Sequence, residues 1–114
     1  MPSKILVIDD DLALRRTLEI ALQTFGYEAI LAADGRQGIA LARETQPDLI
    51  LCDVNMPGMD GRAVLQAMRN DPALANRQVV LMTGNQTQNP QREGMNLGAD
   101  DYLPKPFEIA QLRT

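Results

Sequence analysis

Several residue types are missing or scarce in this chain of 114 residues. The sequence has no histidine, no tryptophan, one cysteine and only two lysines, Lys4 and Lys105. Because Cys52 is the single cysteine, a disulfide within the chain is excluded, and a buried, unreactive thiol in a reducing compartment is expected. The other basic side chains are all arginine, so Lys105 is not one of many solvating lysines and its position deserves an explanation.

Long apolar runs and basic runs are also missing. No apolar stretch approaches the length that crosses a membrane. In the amino-terminal sequence MPSKILVIDDD, acids follow a short apolar stretch, which is not the pattern of a signal peptide. The formal net charge is −4, which argues against direct contact with nucleic acid. We therefore expect one cytoplasmic domain over residues 1–114 that contacts neither nucleic acid nor membrane.

The apolar pattern alternates between strand-like and helix-like segments. Short apolar runs predict five strands, near Lys4–Ile8, Glu28–Ala32, Leu49–Cys52, Gln78–Met82 and Asp101–Leu103. Helical spacing and capping residues predict a helix after each strand, near Leu12–Phe25, Arg36–Thr45, Gly61–Asn70, Gln91–Leu97 and Phe107–Thr114. Five such βα units imply an α/β fold: a single doubly wound domain whose parallel sheet is covered by helices on both faces.

Two helices carry further expectations. In the first, helical spacing puts five apolar side chains on one face toward the core: Leu14, Leu18, Ala21, Leu22 and Phe25. The last helix stops at Thr114 after about two turns. We therefore expect that the sequence is either an excised piece or part of a chain that continues.

The stretch from Asp48 to Gly61, DLILCDVNMPGMDG, is the most informative part of the sequence. Four apolar residues run into Asp53, and Pro57 and Gly58 follow, which is typical of a strand buried on both faces. Asp53 should then lie at the carboxyl end of that strand, the edge where ligands bind in open α/β sheets. Taken alone, a turn-starting aspartate is the better interpretation. The residues at the ends of the other strands make a ligand-binding role for Asp53 the better interpretation.

Acidic residues also follow the first strand. Asp9, Asp10 and Asp11 are consecutive, and Asp11 is expected to cap the next helix. This leaves Asp9 and Asp10 at the same edge of the sheet as Asp53. Three carboxylates in one pocket are costly unless a cation neutralises them. Oxygen ligands without histidine or a nearby cysteine favour a hard ion, and Mg²⁺ is the expected one.

The fourth and fifth strands add a hydroxyl and an ammonium group to this edge. Thr83 ends the fourth strand, and Lys105 follows the fifth between two prolines. Each could be an ordinary surface residue when considered alone. A carboxylate beside a metal ion, a lysine and a hydroxyl is, however, a site that can accept a phosphoryl group.

Four motifs together resemble the receiver domains of bacterial two-component response regulators, of the chemotaxis type. They are ILVIDDD with Arg15-Arg16 downstream, LCDVNMPGMDG, LMTG and GADDYLPKPF, and the resemblance covers essentially the whole chain. It implies the flavodoxin-like fold, with a five-stranded parallel sheet in the order 2-1-3-4-5.

The resemblance also implies a role for each residue of the acidic site. Asp53 matches the aspartate that is phosphorylated. Asp10 matches the direct Mg²⁺ ligand, and Asp9 matches its neighbour, which acts through water. Asn55 matches the position whose backbone carbonyl binds the metal ion.

The remaining matched residues concern switching. Thr83 matches the switch hydroxyl that turns toward the phosphoryl group, and Lys105 matches the lysine that bridges to the phosphoryl oxygens. Tyr102 matches the aromatic residue that swings inward when the site is loaded. The Lys105-Pro106 bond matches one that is cis in the family.

The function implied is a phosphorylation-controlled switch rather than an enzyme with a separate substrate. A sensor histidine kinase or phosphotransfer protein would donate the phosphoryl group to Asp53 in the presence of Mg²⁺. The change would pass through Thr83 and Tyr102 to the face formed by the fourth helix, the fifth strand and the last helix. An output domain or a second receiver would bind that face.

Two other functions remain open at this point. A constitutive docking module would leave the acidic pocket unused. A phosphatase with an aspartyl-phosphate intermediate would also place an aspartate at a strand end with Mg²⁺, but it needs a carboxylate two residues later as acid and base. That position is Asn55, which cannot titrate.

Overall fold

The computed structural model describes residues 3–83 and 101–104. In chain order the elements are β1 (Lys4–Ile8), α1 (Leu12–Thr24), β2 (Glu28–Ala32), α2 (Gly35–Thr45), β3 (Leu49–Asp53), α3 (Gly61–Arg69), β4 (Gln78–Thr83) and β5 (Asp101–Pro104). The predicted helices at Gln91–Leu97 and Phe107–Thr114 lie outside the described residues.

The five strands form one parallel sheet in the order β2-β1-β3-β4-β5. This confirms the predicted fold class and strand order. All four ladders are parallel, with Ile8 opposite Cys52, Asp53 opposite Met82 and Thr83 opposite Pro104. The carboxyl ends of the strands therefore meet at one edge of the sheet, because parallel strands all point the same way.

Each described helix starts at an aspartate. Asp11, Asp34 and Asp60 are the N-caps of α1, α2 and α3, and each side chain accepts hydrogen bonds from backbone N–H groups of the first turn. These bonds satisfy donors that a helix start leaves without partners. The expected capping role of Asp11 is confirmed.

The core has one layer on each side of the sheet. Alternate strand residues point to opposite faces, so Leu6 and Ile8 join the layer beneath α2 and α3, while Ile5 and Val7 join the layer beneath α1. Each fully buried aliphatic side chain of this kind contributes roughly 1.5–3 kcal/mol. The sheet that carries the strand ends is therefore held rigidly from both sides.

One side chain departs from the predicted core. Leu18 and Leu22 are buried and Leu14 and Ala21 are partly buried, but Phe25 is 42% exposed. The helix ends at Thr24, and Phe25 is the C-cap residue that precedes the turn at Gly26. The prediction for Phe25 was wrong because a residue at the end of a helix no longer follows the helical spacing.

None of the helices that the structure describes is long and apolar enough to cross a membrane. Cys52 is buried and forms no disulfide, as expected from its place in an apolar strand. The cytoplasmic location of the chain stays a prediction.

Candidate functional site

Three carboxylates meet at the carboxyl edge of the sheet. Asp9, Asp10 and Asp53 each offer an oxygen atom, and these atoms all lie within 4.8 Å of one another. Asp9 is fully buried and Asp53 is only 5% exposed, whereas Asp10 is exposed. The structure thus brings together the three acids that the sequence placed at one edge.

The turn between β1 and α1 positions Asp9 and Asp10. The backbone N–H of Asp9 donates to the carbonyl of Ala32 in the edge strand, at 3.1 Å. The Asp9 carboxylate accepts a 2.9 Å bond from the backbone N–H of Asp11, and Asp11 itself caps α1. Asp10 therefore lies between two residues whose backbones are tied to the sheet and to the helix.

Asp53 is the last residue of β3, and the chain beyond it is also tied to the core. The N–H of Val54 donates to the carbonyl of Met82 at 3.0 Å, and the N–H of Gly61 donates to the carbonyl of Val54 at 2.9 Å. The N–H of Asn55 donates to the Asp53 carboxylate at 3.3 Å. This last contact is the local bond of a turn-starting aspartate, so Asp53 has that role as well as its place in the cluster.

Gly61 allows α3 to start directly against the backbone of Asp53. A Cβ atom at position 61 would collide with the carbonyl oxygen of Asp53 and would lie 2.7 Å from the Cα of Val54. Both neighbours are backbone atoms at the end of a buried strand, so neither can move away easily. This role of Gly61 was not predicted from the sequence. Its signal was a glycine directly after a capping aspartate, where a better helix former is usual.

The donor set of the cluster fits a hard divalent cation. Two of its three carboxylates are buried, and bringing them close together is unfavourable unless a positive charge is present. Carboxylate oxygens at this separation suit Mg²⁺, which binds to one or two carboxylates and keeps several waters. The exposed Asp10 leaves the cluster open to solvent on one side, so an ion has a route into it.

The predicted switch residues are only partly within the described chain. Thr83 is the last residue of β4, one position beyond the residue opposite Asp53. The backbone of Tyr102 in β5 pairs with that of Leu81 in β4. The side chains of Thr83 and Tyr102, and all of Lys105 and Pro106, lie outside what the structure describes, so their predicted contacts stay predictions.

The family model for the response regulator receiver domain matches residues 5–114. The chain belongs to this family. It is a receiver domain of the kind that works in two-component signalling, and such domains are signalling proteins that are generally not classed as enzymes.

A curated relative with similar sequence is the DNA-binding dual master transcriptional regulator RpaA of Synechocystis. It is 40% identical over 109 residues, an alignment that covers 96% of this chain and 45% of RpaA. The chain thus spans about half the length of the curated relatives that it matches.

Two solved structures illustrate the structural likeness. Chemotaxis protein CheY4 of Vibrio cholerae superposes with a TM-score of 0.91 at 34% identity, over 99% of this chain and 94% of that one. The receiver domain of sensor histidine kinase PA1611 from Pseudomonas aeruginosa has a TM-score of 0.88 at 31% identity, over 99% of this chain and 93% of that one. That structure has a magnesium ion coordinated in its active site cleft.

Proposed function

We propose that this domain is a phosphoacceptor switch in which Asp53 receives a phosphoryl group in the presence of Mg²⁺. The observation that carries the proposal is the cluster of Asp9, Asp10 and Asp53, with carboxylate oxygens within 4.8 Å of one another. The family and the magnesium ion in a related receiver support it.

In the proposed reaction a carboxylate oxygen of Asp53 attacks the phosphorus atom of a phosphohistidine. A new oxygen–phosphorus bond forms, the phosphorus–nitrogen bond breaks, and the histidine leaves with the bonding electrons. Mg²⁺ held by Asp9, Asp10, Asp53 and the backbone carbonyl of Asn55 would offset negative charge on the phosphoryl oxygens. The Lys105 ammonium would contact the same oxygens. The rigid end of β3 holds Asp53 in place, which limits the geometries available for attack.

The switch would follow from the added negative charge. We expect the Thr83 hydroxyl and the Lys105 ammonium to move toward the phosphoryl group, and Tyr102 to turn inward with them. This would change the face formed by the region of the fourth helix, β5 and the last helix. A sensor histidine kinase or phosphotransfer protein is the proposed donor. An output domain or a second receiver is the proposed partner on that face, and the domain itself would contact neither nucleic acid nor membrane.

The alternatives make different demands on the same residues. A docking module that never uses the pocket would gain nothing from two buried aspartates beside a third, an arrangement that lowers stability. A phosphatase would need a titratable group two residues after Asp53. Asn55 occupies that position and is exposed.

Intact mass spectrometry tests the proposal. The protein is incubated with acetyl phosphate, with Mg²⁺ or with EDTA, beside Asp53→Asn. We expect one phosphoryl adduct on the wild type, only with Mg²⁺, and none on Asp53→Asn. Asn keeps the size of the side chain and accepts the Asn55 N–H bond, so the fold should survive.

Three results would contradict the proposal. Labelling of Asp53→Asn at the wild-type level would mean that another residue is the acceptor. A wild type that takes no label from acetyl phosphate or from a phosphorylated kinase, and that does not bind Mg²⁺, would favour the docking module. Turnover of a small phosphate ester would favour the phosphatase.

A further inference from the structure

The Arg15 side chain on α1 contacts Asp9, the first residue of the acidic cluster. Its Nη1 atom donates a 2.7 Å hydrogen bond to the backbone carbonyl of Asp9. The distance is short for such a bond because the donor is charged. The side chain is half-buried, and the backbone N–H of Arg15 closes the first turn of α1 on the carbonyl of Asp11.

The carbonyl of Asp9 lies one residue beyond the end of β1. Both ladders of β1 end at Ile8, and Asp9 is fully buried. A buried carbonyl needs a donor, and the Arg15 guanidinium provides one from the neighbouring helix. The bond therefore fixes the peptide group that joins Asp9 to Asp10.

Three contacts together hold this turn around Asp10. Arg15 donates to the backbone carbonyl of Asp9, the residue before Asp10. The N–H of Asp11, the residue after Asp10, donates to the Asp9 carboxylate, and the Asp11 carboxylate caps α1. Asp10 itself is exposed, so its direction depends on the backbone on either side. The carboxylates can converge within 4.8 Å only if that backbone keeps its path.

We propose that Arg15 is a positioning residue for the divalent cation site: it holds the Asp9–Asp10 peptide so that both carboxylates face Asp53. The inference rests on the proposed function, because it assigns Arg15 to the same Mg²⁺ site. It concerns affinity for the cation, which can be measured without any phosphoryl transfer.

Arg16 provides a matched control in the next position of the same helix. Its side chain is exposed and makes no hydrogen bond or ion pair with another described residue. Arg15→Ala and Arg16→Ala each remove one positive charge from the first half of α1. Charge alone predicts slightly tighter Mg²⁺ binding in both variants, since less positive charge then repels the ion. Positioning predicts weaker binding in Arg15→Ala alone.

Isothermal titration calorimetry with Mg²⁺ on the whole chain distinguishes the two effects. We expect the dissociation constant of Arg15→Ala to rise by about tenfold, the scale for losing a group that orients metal ligands. Arg16→Ala should stay within about twofold of the wild type. Arg15→Lys keeps a donor on a shorter arm and should recover part of the loss.

A second measurement follows the turn in the metal-free protein. Hydrogen exchange of the Asp11 amide should be faster in Arg15→Ala and unchanged in Arg16→Ala, because only the first loosens the turn. A purely global destabilisation would speed exchange across the core and would leave Mg²⁺ affinity of the folded fraction unchanged.

Each outcome decides a different claim. If the wild type does not bind Mg²⁺, the proposed function fails and this inference with it. If the wild type binds and Arg15→Ala matches Arg16→Ala, only the role of Arg15 is overturned. Weaker binding with unchanged Asp11 exchange would also overturn it. If Arg15→Ala does not fold, Arg15→Gln against Arg16→Gln is judged by the same criteria.

Discussion

At the scale of single residues, the site depends on where backbone atoms approach each other as much as on the acids. The acids could be predicted, because parallel strands deliver their last residues to one edge and Asp9, Asp10 and Asp53 each follow an apolar run. The contributions of Arg15 and Gly61 could not be predicted from the sequence. The Arg15 guanidinium contacts a residue six positions earlier, and α3 starts against the backbone carbonyl of Asp53. Both contacts depend on the three-dimensional path of the chain.

Gly61 gives the prediction that belongs to this scale. Ala is a better helix former than Gly by about 1 kcal/mol, but overpacking against fixed atoms costs about 1–3 kcal/mol. Since the obstructing atoms belong to the backbone of Asp53 and Val54, we expect Gly61→Ala to lower the free energy of unfolding. The displaced Asp53 should also accept a phosphoryl group more slowly, by about tenfold or more. Urea unfolding and the rate of labelling by acetyl phosphate measure the two effects.

Gly26→Ala is a control variant that should lower the stability of the fold without displacing Asp53. Gly26 has a φ of 88° and no atom near a new Cβ, so Ala there is strained by about 1–2 kcal/mol without touching Asp53. It should be destabilised and yet label at the wild-type rate. If both variants label equally fast, Gly61 does not hold the acceptor in place.

At the scale of elements, one ion pair joins α2 to the segment after α3. The Arg43 guanidinium donates to the Asp71 carboxylate at 2.7 Å. This hydrogen bond is the main reason that the pKa of Asp71 lies below its usual value of 3.8, and the N–H of Ala73 lowers the pKa further. Arg43 is 60% exposed, so solvent screens the pair and its contribution to stability is small.

The lowered pKa fixes the sign of a pH dependence. A carboxyl whose pKa is depressed in the folded state stabilises the fold above its unfolded value, and this contribution is lost as the pH falls through the folded value. Asp71→Asn should therefore be slightly less stable than the wild type at neutral pH, and the difference should vanish in acid. Asn still accepts the Ala73 N–H, so only the charged interaction is removed.

Urea unfolding of both proteins from neutral pH to about pH 2.5 checks this prediction. Arg43→Gln removes the other partner, and the double variant should be no less stable than either single one. A difference between wild type and Asp71→Asn that stays constant over the whole pH range would show that the ion pair is not its source.

Most elements could be predicted because their signals are local. Apolar runs predicted the strands, and the expected cap at Asp11 predicted the start of α1. Helix boundaries were harder to predict, because a residue at a cap position can still fit the helical spacing of apolar residues. Phe25 fits the helical spacing, but it lies at the C-cap and is exposed. Ile39 is buried because α2 packs on both β1 and α3.

At the scale of the whole molecule, the sheet gathers like charges at one edge. Folding brings Asp9, Asp10 and Asp53 together, whereas the unfolded chain keeps Asp53 apart from the others. The metal-free fold therefore carries repulsion that a cation relieves. We expect Asp53→Asn to be more stable than the wild type in EDTA, by on the order of 1 kcal/mol.

Mg²⁺ should reduce this difference in stability. At a concentration ten times its dissociation constant, a ligand of the folded state adds about 1.4 kcal/mol to the free energy of unfolding. The wild type should gain this amount, and Asp53→Asn, which lacks one of the three charges, should gain less. Thermal unfolding with EDTA and with Mg²⁺ measures both differences.

Asp60→Asn is the control for the substitution itself. Asp60 caps α3 through a 2.9 Å bond from Ala63, and Asn caps helices as well as Asp does. It should respond to Mg²⁺ like the wild type. An Asp53→Asn variant that is less stable than the wild type in EDTA, and equally stabilised by Mg²⁺, would mean that the cluster is not a cation site.

The most direct test of the central claim is to locate the phosphoryl group on the chain. The protein is labelled with acetyl phosphate and Mg²⁺, the acyl phosphate is reduced with borohydride, and tryptic peptides are sequenced by mass spectrometry. Trypsin separates Asp53, in peptide 44–62, from Asp9 and Asp10, in peptide 5–15. We expect reduction to convert Asp53 alone to homoserine. Modification in peptide 5–15, or at another acid of peptide 44–62, would contradict the assignment of Asp53 as the acceptor.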